Sequence, residues 1–340
     1  MTVITTEFFP PQQRLIALPR RHGARLYLTS RSMRQRWQHS QLYPAFRATA
    51  QLYRFALRAK VALGLGETWI NQADAWDLGD FVRDCLPSAK TAVVLLGTPG
   101  PAQKITVQLW EDEIAVGYVK YAEKPAARAR LEQEGRILAA LPTGVGPRPL
   151  KYGALSDGVG LLMAPVDGNA LPARLPPPTN VLEFLHTLRR AELFRLEEHP
   201  WVQNLVAAHG RVIDLWLEPL ARRSWCLACQ HGDLAPWNLV RSGEGRLSAI
   251  DWEYGNTSGF PYLDLAYYLL QMAVLMRRWS PGKASAYTIK YLSRDLAPRE
   301  AEAIVKLTAF DAYHKALIDG HGPAEPLQRW RRAVWEWGPT

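Results

Sequence analysis

The chain has 340 residues, of which 48% are hydrophobic and 21% charged, the proportions of an ordinary globular protein with one large two-lobed domain or two smaller ones. No apolar run is long enough to span a bilayer, the opening residues lack the basic and apolar regions of a signal peptide, and three unevenly placed cysteines make no disulfide framework. These features exclude an integral membrane protein, a disulfide scaffold and a disordered chain, and predict a cytoplasmic location with reduced thiols.

The net charge of +9 is unevenly distributed. Residues 1–60 hold eleven Lys and Arg against the single acid Glu7, a balance of +10, so the remaining 280 residues sum to −1. That asymmetry predicts a separate basic extension over residues 1–88 with an anionic partner. Within it Tyr43, Phe46, Ala50, Tyr53 and Leu57 recur at helical spacing, with Arg47, Arg54 and Arg58 off the stripe. Strands follow at TAVVLLG (91–97), KITVQLW (104–110) and IAVGYVKY (114–121), the first two joined by the turn GTPGPAQ. PAARARLEQEGRILAAL (125–141) reads as a helix, with Pro125 in its first turn and Pro142 stopping it. GVGLLMAPV (158–166) is one more strand, and after the proline-rich LPARLPPPTN (171–180) the chain reads as mainly helical.

Two stretches carry chemistry. HGDLAPWNLV (231–240) sets His231, Asp233 and Asn238 in one turn, and IDWEYG (250–255) puts Asp251 thirteen residues past Asn238 at the end of an apolar run. Unpaired buried carboxylates and amides cost several kcal/mol, on the order of 2–7 for a polar group, so these side chains are either solvated or aimed at a ligand. Phosphoryl transfer asks for such a set: a carboxylate for the acceptor hydroxyl, oxygen ligands for the metal on the triphosphate, and a cation for the phosphates. The Asp and the Asn five residues on have the catalytic-loop spacing of protein kinases. Lys120 ends the third strand and Glu134 lies on the next helix, the pairing that holds a lysine on nucleotide phosphates. Gly97 and Gly100 lie in the turn where backbone would approach those phosphates. Cys226 and Cys229 form a lone C-x-x-C that is better explained by a buried strand entering the loop than by a metal. The aromatic tail RWRRAVWEW (329–337) reads as helix packing.

On HGDLAPWN, IDWEYG and the later PYLDLA (261–266), the chain resembles the aminoglycoside phosphotransferase and choline kinase family, small-molecule kinases with the protein-kinase-like fold. The similarity covers residues 89 to about 275 well and the rest loosely. It implies an α+β, two-lobed fold: an N-lobe over 89–165 with a small antiparallel sheet and one key helix, and a mainly helical C-lobe over 166–340, after the basic extension. It also implies ATP and Mg²⁺ as cofactors. Asp233 would accept or orient the proton of the acceptor hydroxyl, and Asn238 and Asp251 would hold Mg²⁺. Lys120 would contact phosphate with Glu134 fixing it, Met163 to Val166 would form the adenine hinge, and His231 and Asp264 would brace the catalytic loop. Pro165 has no N–H, which leaves Val166 as hinge donor. GTPGPAQ, with two prolines and two glycines, departs from the family's phosphate loop.

The function expected is an ATP-dependent phosphotransferase acting on a hydroxyl of a small molecule or glycan. Chains with a long basic extension before such a loop resemble kinases of cell-envelope polysaccharide synthesis, which makes an envelope sugar a candidate acceptor. The alternative is an inactive kinase-like scaffold, against which all five key residues are present. No nucleic-acid module is recognisable, so no nucleic-acid partner is expected. The basic, striped segment 1–60 instead suggests an anionic membrane surface, hence a peripheral place at the inner membrane face.

Overall fold

Apolar runs of strand length pair antiparallel into one sheet near the start of the chain, and apolar helices dominate the end. The computed structural model describes residues 7–19, 23–29, 32–43, 45, 48–66 and 68–337. It divides into two units, Met1–Gly135 with Pro147–Pro165, and Arg136–Gly146 with Val166–Thr340.

The first unit contains β1 (Arg14–Leu18), β2 (Leu26–Thr29), α1 (Met33–His39), α2 (Ala48–Ala62), β3 (Thr68–Ile70), α3 (Asp77–Val82), β4 (Thr91–Leu96), β5 (Ile105–Glu111), β6 (Ile114–Ala122), most of α4 (Pro125–Ala140), β7 (Pro149–Leu155) and β8 (Gly158–Met163). The strands form one eight-stranded sheet in the order β3-β1-β2-β4-β5-β6-β8-β7, antiparallel throughout. Residues 1–88, expected as an extension, thus supply three of its strands. Both faces of the sheet are covered, and successive residues serve opposite faces. Leu15, Ala17, Tyr27, Ala92 and Val94 pack with Leu78 and Phe81 of α3. Ile16, Leu18, Leu26, Leu28 and Val93 pack with Leu57 and Val61 of α2.

That packing sets the phase of α2. Leu57 and Val61, one turn apart, face the sheet, while Tyr53 of the expected stripe is 49% exposed; Phe46 and Arg47 lie outside the described residues. Arg58 is turned inward, donating through Nε and Nη2 to the Trp37 carbonyl at 3.1 and 3.0 Å with its guanidinium 4.1 Å from the Trp37 ring centre. Leu52, Phe55 and, past the helix end, Leu63 and Leu65 point outward at 73%, 58%, 68% and 64% exposure.

The second unit holds β9 (Asn169–Ala170), α5 (Thr179–Thr187), β10 (Arg189–Phe194), α6 (Pro200–His209), α7 (Asp214–Leu217), β11 (Trp225–Gln230), β12 (Leu239–Arg241), β13 (Leu247–Ala249), β14 (Asn256–Gly259), α8 (Leu263–Gln271), α9 (Pro281–Leu292), α10 (Pro298–Ile318) and α11 (Pro326–Glu336). Four of its helices open on proline, where a missing N–H costs nothing. Two three-stranded sheets, β10-β11-β14 and β13-β12-β9, flank the catalytic turn in sequence. The core is organised on α10, whose Ala301, Ile304, Val305, Ala309 and Phe310 are buried at helical spacing. The aromatic tail is α11. Trp330 donates its indole N–H to the Trp279 carbonyl at 2.9 Å, and Trp335 packs edge-on against Phe310 and Tyr313. A sheet-based unit followed by a mainly helical one is the α+β, kinase-like arrangement.

Leu28 tests the integration of the N-terminal strands. It is fully buried in the face covered by α2, and Leu28→Ala is expected to cost about 2–5 kcal/mol. Denaturant unfolding should show this loss. An appended arm would leave the unfolding midpoint unchanged.

Candidate active site

In the first unit, Lys120 sits on β6 and Glu134 on α4, and the Lys120 ammonium meets Glu134 Oε1 at 2.5 Å. Glu134 is fully buried and the Lys120 side chain is 12% exposed, so this is a desolvated pair in which removing either partner would leave a buried charge unmatched. The β4–β5 turn closes through Gly97 N–H to the Lys104 carbonyl at 2.8 Å. A Cβ on Gly97 would come within 2.5 Å of that carbonyl, so glycine is required there by the turn itself. Gly100 has open space around it, and Lys124 Nζ donates to its carbonyl at 2.8 Å. Met163 ends β8, Ala164 N–H is held by the Arg148 carbonyl at 2.9 Å, and the chain passes through Pro165 to Val166.

In the second unit the catalytic turn follows β11. Gly232 has φ +80°, and a Cβ on it would meet the Tyr254 carbonyl oxygen at 2.5 Å. Only glycine suits this position. The Asp264 carboxylate, from the first turn of α8, accepts the His231 N–H on Oδ2 at 2.6 Å and the Gly232 N–H on Oδ1 at 2.8 Å. Burial pushes the Asp264 carboxyl up, against the pull of His231 and of these two N–H bonds. His231 is fully buried, its ring tilted against that of Trp252 with centres 4.7 Å apart. Its Nδ1 accepts the Asp233 N–H at 3.2 Å, so Nε2 carries the proton and donates to the Ile250 carbonyl at 2.8 Å. The ring thereby ties the two acidic stretches together.

Asn238 is buried, and its Nδ2 donates to the Asp233 carbonyl at 2.9 Å and to Asp233 Oδ2 at 3.3 Å. With the amide nitrogen committed to the loop, the amide oxygen is the group with which Asn238 can meet a cation. Its own carbonyl accepts the Ile250 N–H at 2.9 Å, and β12 pairs with β13, which brings Asp251 beside it. Asp251 adopts φ +70°, a left-handed conformation that costs a non-glycine residue on the order of 1–3 kcal/mol and that gathers at functional positions. Buried Trp252 anchors the turn through its indole N–H on the Ala249 carbonyl at 2.7 Å. An amide oxygen next to a carboxylate suits a hard, oxygen-seeking ion such as Mg²⁺.

Asp233 Oδ1 accepts the Tyr267 hydroxyl at 2.6 Å. Burial pushes the Asp233 carboxyl up; the Tyr267 bond, His231 and Arg331 pull it down, and the charge of Asp251 adds to the rise. Burial and the Asp233 charge hold the Tyr267 phenol well above its usual range. A cavity of about 230 Å³ opens beside Asp233, with Tyr254, Tyr267, Lys315, Gln328 and Arg331 in its wall. Tyr267 and Arg331 were not among the expected residues. Tyr267 lies one helical turn past Asp264, a spacing that could have pointed to it; Arg331 comes from the last helix, and no local pattern marks it. Cys226 and Cys229, three apart on β11, face opposite sides of a strand, and burial lifts the Cys229 thiol to about 11, which removes it as a nucleophile.

Residues 116–303, more than half of the chain, match the model of the phosphotransferase enzyme family (APH), and the chain belongs to that family. It is an ATP-dependent small-molecule kinase. No curated protein matches it significantly. Among solved structures it is similar to the choline kinase LicA from Streptococcus pneumoniae, at 16% identity over 76% of this chain and 95% of that one, with a TM-score of 0.44. It is also similar to the macrolide 2'-phosphotransferase MphH from Brachybacterium faecium, at 14% identity over 77% and 98%, with a TM-score of 0.40. The bifunctional kinase-methyltransferase WbdD is similar at 15% identity over 68% of this chain and 42% of that one, with a TM-score of 0.25. Among the described residues no helix is long and apolar enough to cross a membrane.

The turn itself can be tested without a substrate. Gly232→Ala adds a Cβ against the Tyr254 carbonyl at a positive φ. The melting temperature should fall by several degrees, in line with a loss on the order of 1–3 kcal/mol. An unchanged melting curve would show that the turn relaxes freely.

Proposed function

We propose that the protein transfers the terminal phosphoryl group of ATP to a hydroxyl of a small molecule or glycan held in the cavity beside Asp233. The observation that carries this reading is the Asp233 carboxylate, fixed on one oxygen by Tyr267 and opening on a cavity of about 230 Å³. In the transfer, Asp233 takes the proton of the acceptor hydroxyl, the acceptor oxygen forms the new P–O bond, and the bond to the ADP oxygen breaks. Lys120, held by Glu134, neutralises phosphate oxygens, with Gly97 and Gly100 in the turn nearby in sequence. Met163 and Val166 take the adenine, with Val166 N–H as donor. Asn238 and Asp251 would hold Mg²⁺, which when bound screens the charge of the triphosphate. His231 and Asp264 keep the loop in shape. An envelope sugar is the acceptor this reading favours, since the cavity wall offers the phenols of Tyr254 and Tyr267, the amide of Gln328 and charged groups to sugar hydroxyls.

Asp233→Asn keeps the shape of the side chain and removes the base. Transfer from labelled ATP to a panel of hydroxyl compounds should fall about 10²–10⁴-fold while the protein stays folded. Turnover at the wild-type rate by folded Asp233→Asn would refute the assignment and favour a non-catalytic role.

The same reading places the enzyme at an anionic membrane surface. What supports it is the outward apolar group Leu52, Phe55, Leu63 and Leu65 on and after α2, within a stretch from residue 8 to 66 that contains no acid. Each basic residue near an anionic leaflet contributes about 1 kcal/mol, and salt weakens the attraction. The protein should co-sediment with phosphatidylglycerol vesicles at low salt, and the double variant Leu52→Glu, Phe55→Glu should not. Equal sedimentation of both, or none by either, would exclude the membrane role.

A further inference from the structure

Arg331 stands out in the cavity wall because, among the described residues, its guanidinium forms no ion pair with a carboxylate, and the charge of Asp233 reaches it only across Tyr267. Its Nη1 donates to the Ala312 carbonyl at 3.1 Å and to Gln328 Oε1 at 2.9 Å, and its Nη2 lies 3.5 Å from the Tyr267 hydroxyl. All three partners are neutral, and among the described residues no carboxylate pairs with it. The other basic groups in the same wall are matched: Lys315 with Asp311 at 2.7 Å, and His321 with Glu325 at 3.1 Å. A half-buried guanidinium held by neutral groups is fixed in direction and has no carboxylate in direct contact, although Asp233, Glu253 and Glu325 share the wall. Its planar fork fits the oxygens of a phosphate or carboxylate two at a time. Only the Tyr267 phenol separates it from the carboxylate read as the base, whose Oδ1 that phenol occupies.

We propose that the acceptor carries an anionic group, a phosphate or a carboxylate, close to the hydroxyl that is phosphorylated, and that Arg331 binds this group. The proposal rests on the reading of the cavity as the acceptor site and narrows it to acidic or already phosphorylated compounds. It assigns the wall next to Tyr267 to charge recognition, with the hydroxyl directed to Asp233 because the acidic group is anchored at the arginine.

Two measurements test it. Inorganic phosphate at millimolar concentration should raise the melting temperature of the wild type and of Lys120→Met, which retains the cavity. It should not raise that of Arg331→Gln, and Arg331→Lys, which keeps the charge without the fork, should show a reduced shift. In transfer assays with glucose, glucose 1-phosphate and glucuronic acid, the wild type should show at least a tenfold lower KM for one of the two anionic sugars than for glucose. Which of the two wins tells phosphate from carboxylate, and Arg331→Gln should close the gap. A phosphate-induced shift that survives in Arg331→Gln, or equal use of glucose and the anionic sugars, would overturn the proposal. So would a fall in kcat by Arg331→Gln on all three sugars at unchanged KM, which would make the arginine a support for Tyr267 alone. The phosphate measurement needs no turnover, so its outcome is separate from that of Asp233→Asn, which tests the transfer itself.

Discussion

The second unit's chemistry depends on one carboxylate that touches no reactant in the proposed mechanism. Asp264 accepts two successive N–H groups, those of His231 and Gly232, at the point where the chain leaves β11. In a buried turn those donors would otherwise be unpaired, at a cost of about 1–3 kcal/mol each. Their satisfaction fixes the φ of Gly232, which presents the Asp233 N–H to His231. The imidazole then passes the constraint to the Ile250 carbonyl, immediately before Asp251. A chain of directional bonds thus runs from α8 through the turn to the second acidic stretch. It explains why one short motif can position groups from two separate segments.

The arrangement also concentrates like charge. Asp233, Asp251 and Asp264 lie within a few bonds of the same turn, and burial raises the proton affinity of Asp233 and of Asp264. Each carboxylate is met differently: Asp264 by backbone N–H groups, Asp233 by a phenol and an amide. Asp251 takes up a strained backbone conformation. Such strain persists only where the surroundings enforce it, here the buried Trp252 and the bond from Ile250 to Asn238.

How much of this was legible in the sequence follows from how local each feature is. His231, Asp233 and Asn238 fall within eight residues and Asp251 follows thirteen on, so spacing groups those four, whereas Asp264 enters through the resemblance carried by PYLDLA. The strands β4, β5, β6 and β8 and the helix α4 were readable from apolar runs, prolines and glycines. The three strands before residue 88 were not. Both faces of β1 and β2 are buried, so they lack the in–out alternation of a half-exposed strand, and the surrounding arginines made the segment look like an arm. Of the expected α2 stripe, Leu57 faces the sheet and Tyr53 does not, because the sheet meets the later part of the helix, at Leu57 and Val61. Arg331 sits almost a hundred residues beyond Asp233, and tertiary packing alone brings it to the same cavity.

The contribution of the last helix has a consequence for how the protein is made. The turn, its clamp and the strands around it are complete once residue 264 has emerged from the ribosome, but the wall that carries Gln328 and Arg331 belongs to α11. Until α11 is made and docks through Trp330 and Trp335, the cavity beside Asp233 lacks that part of its wall. A nascent chain has the His231–Asn238 turn before it has this wall, so the part of the site proposed to choose an acceptor is the last to be made.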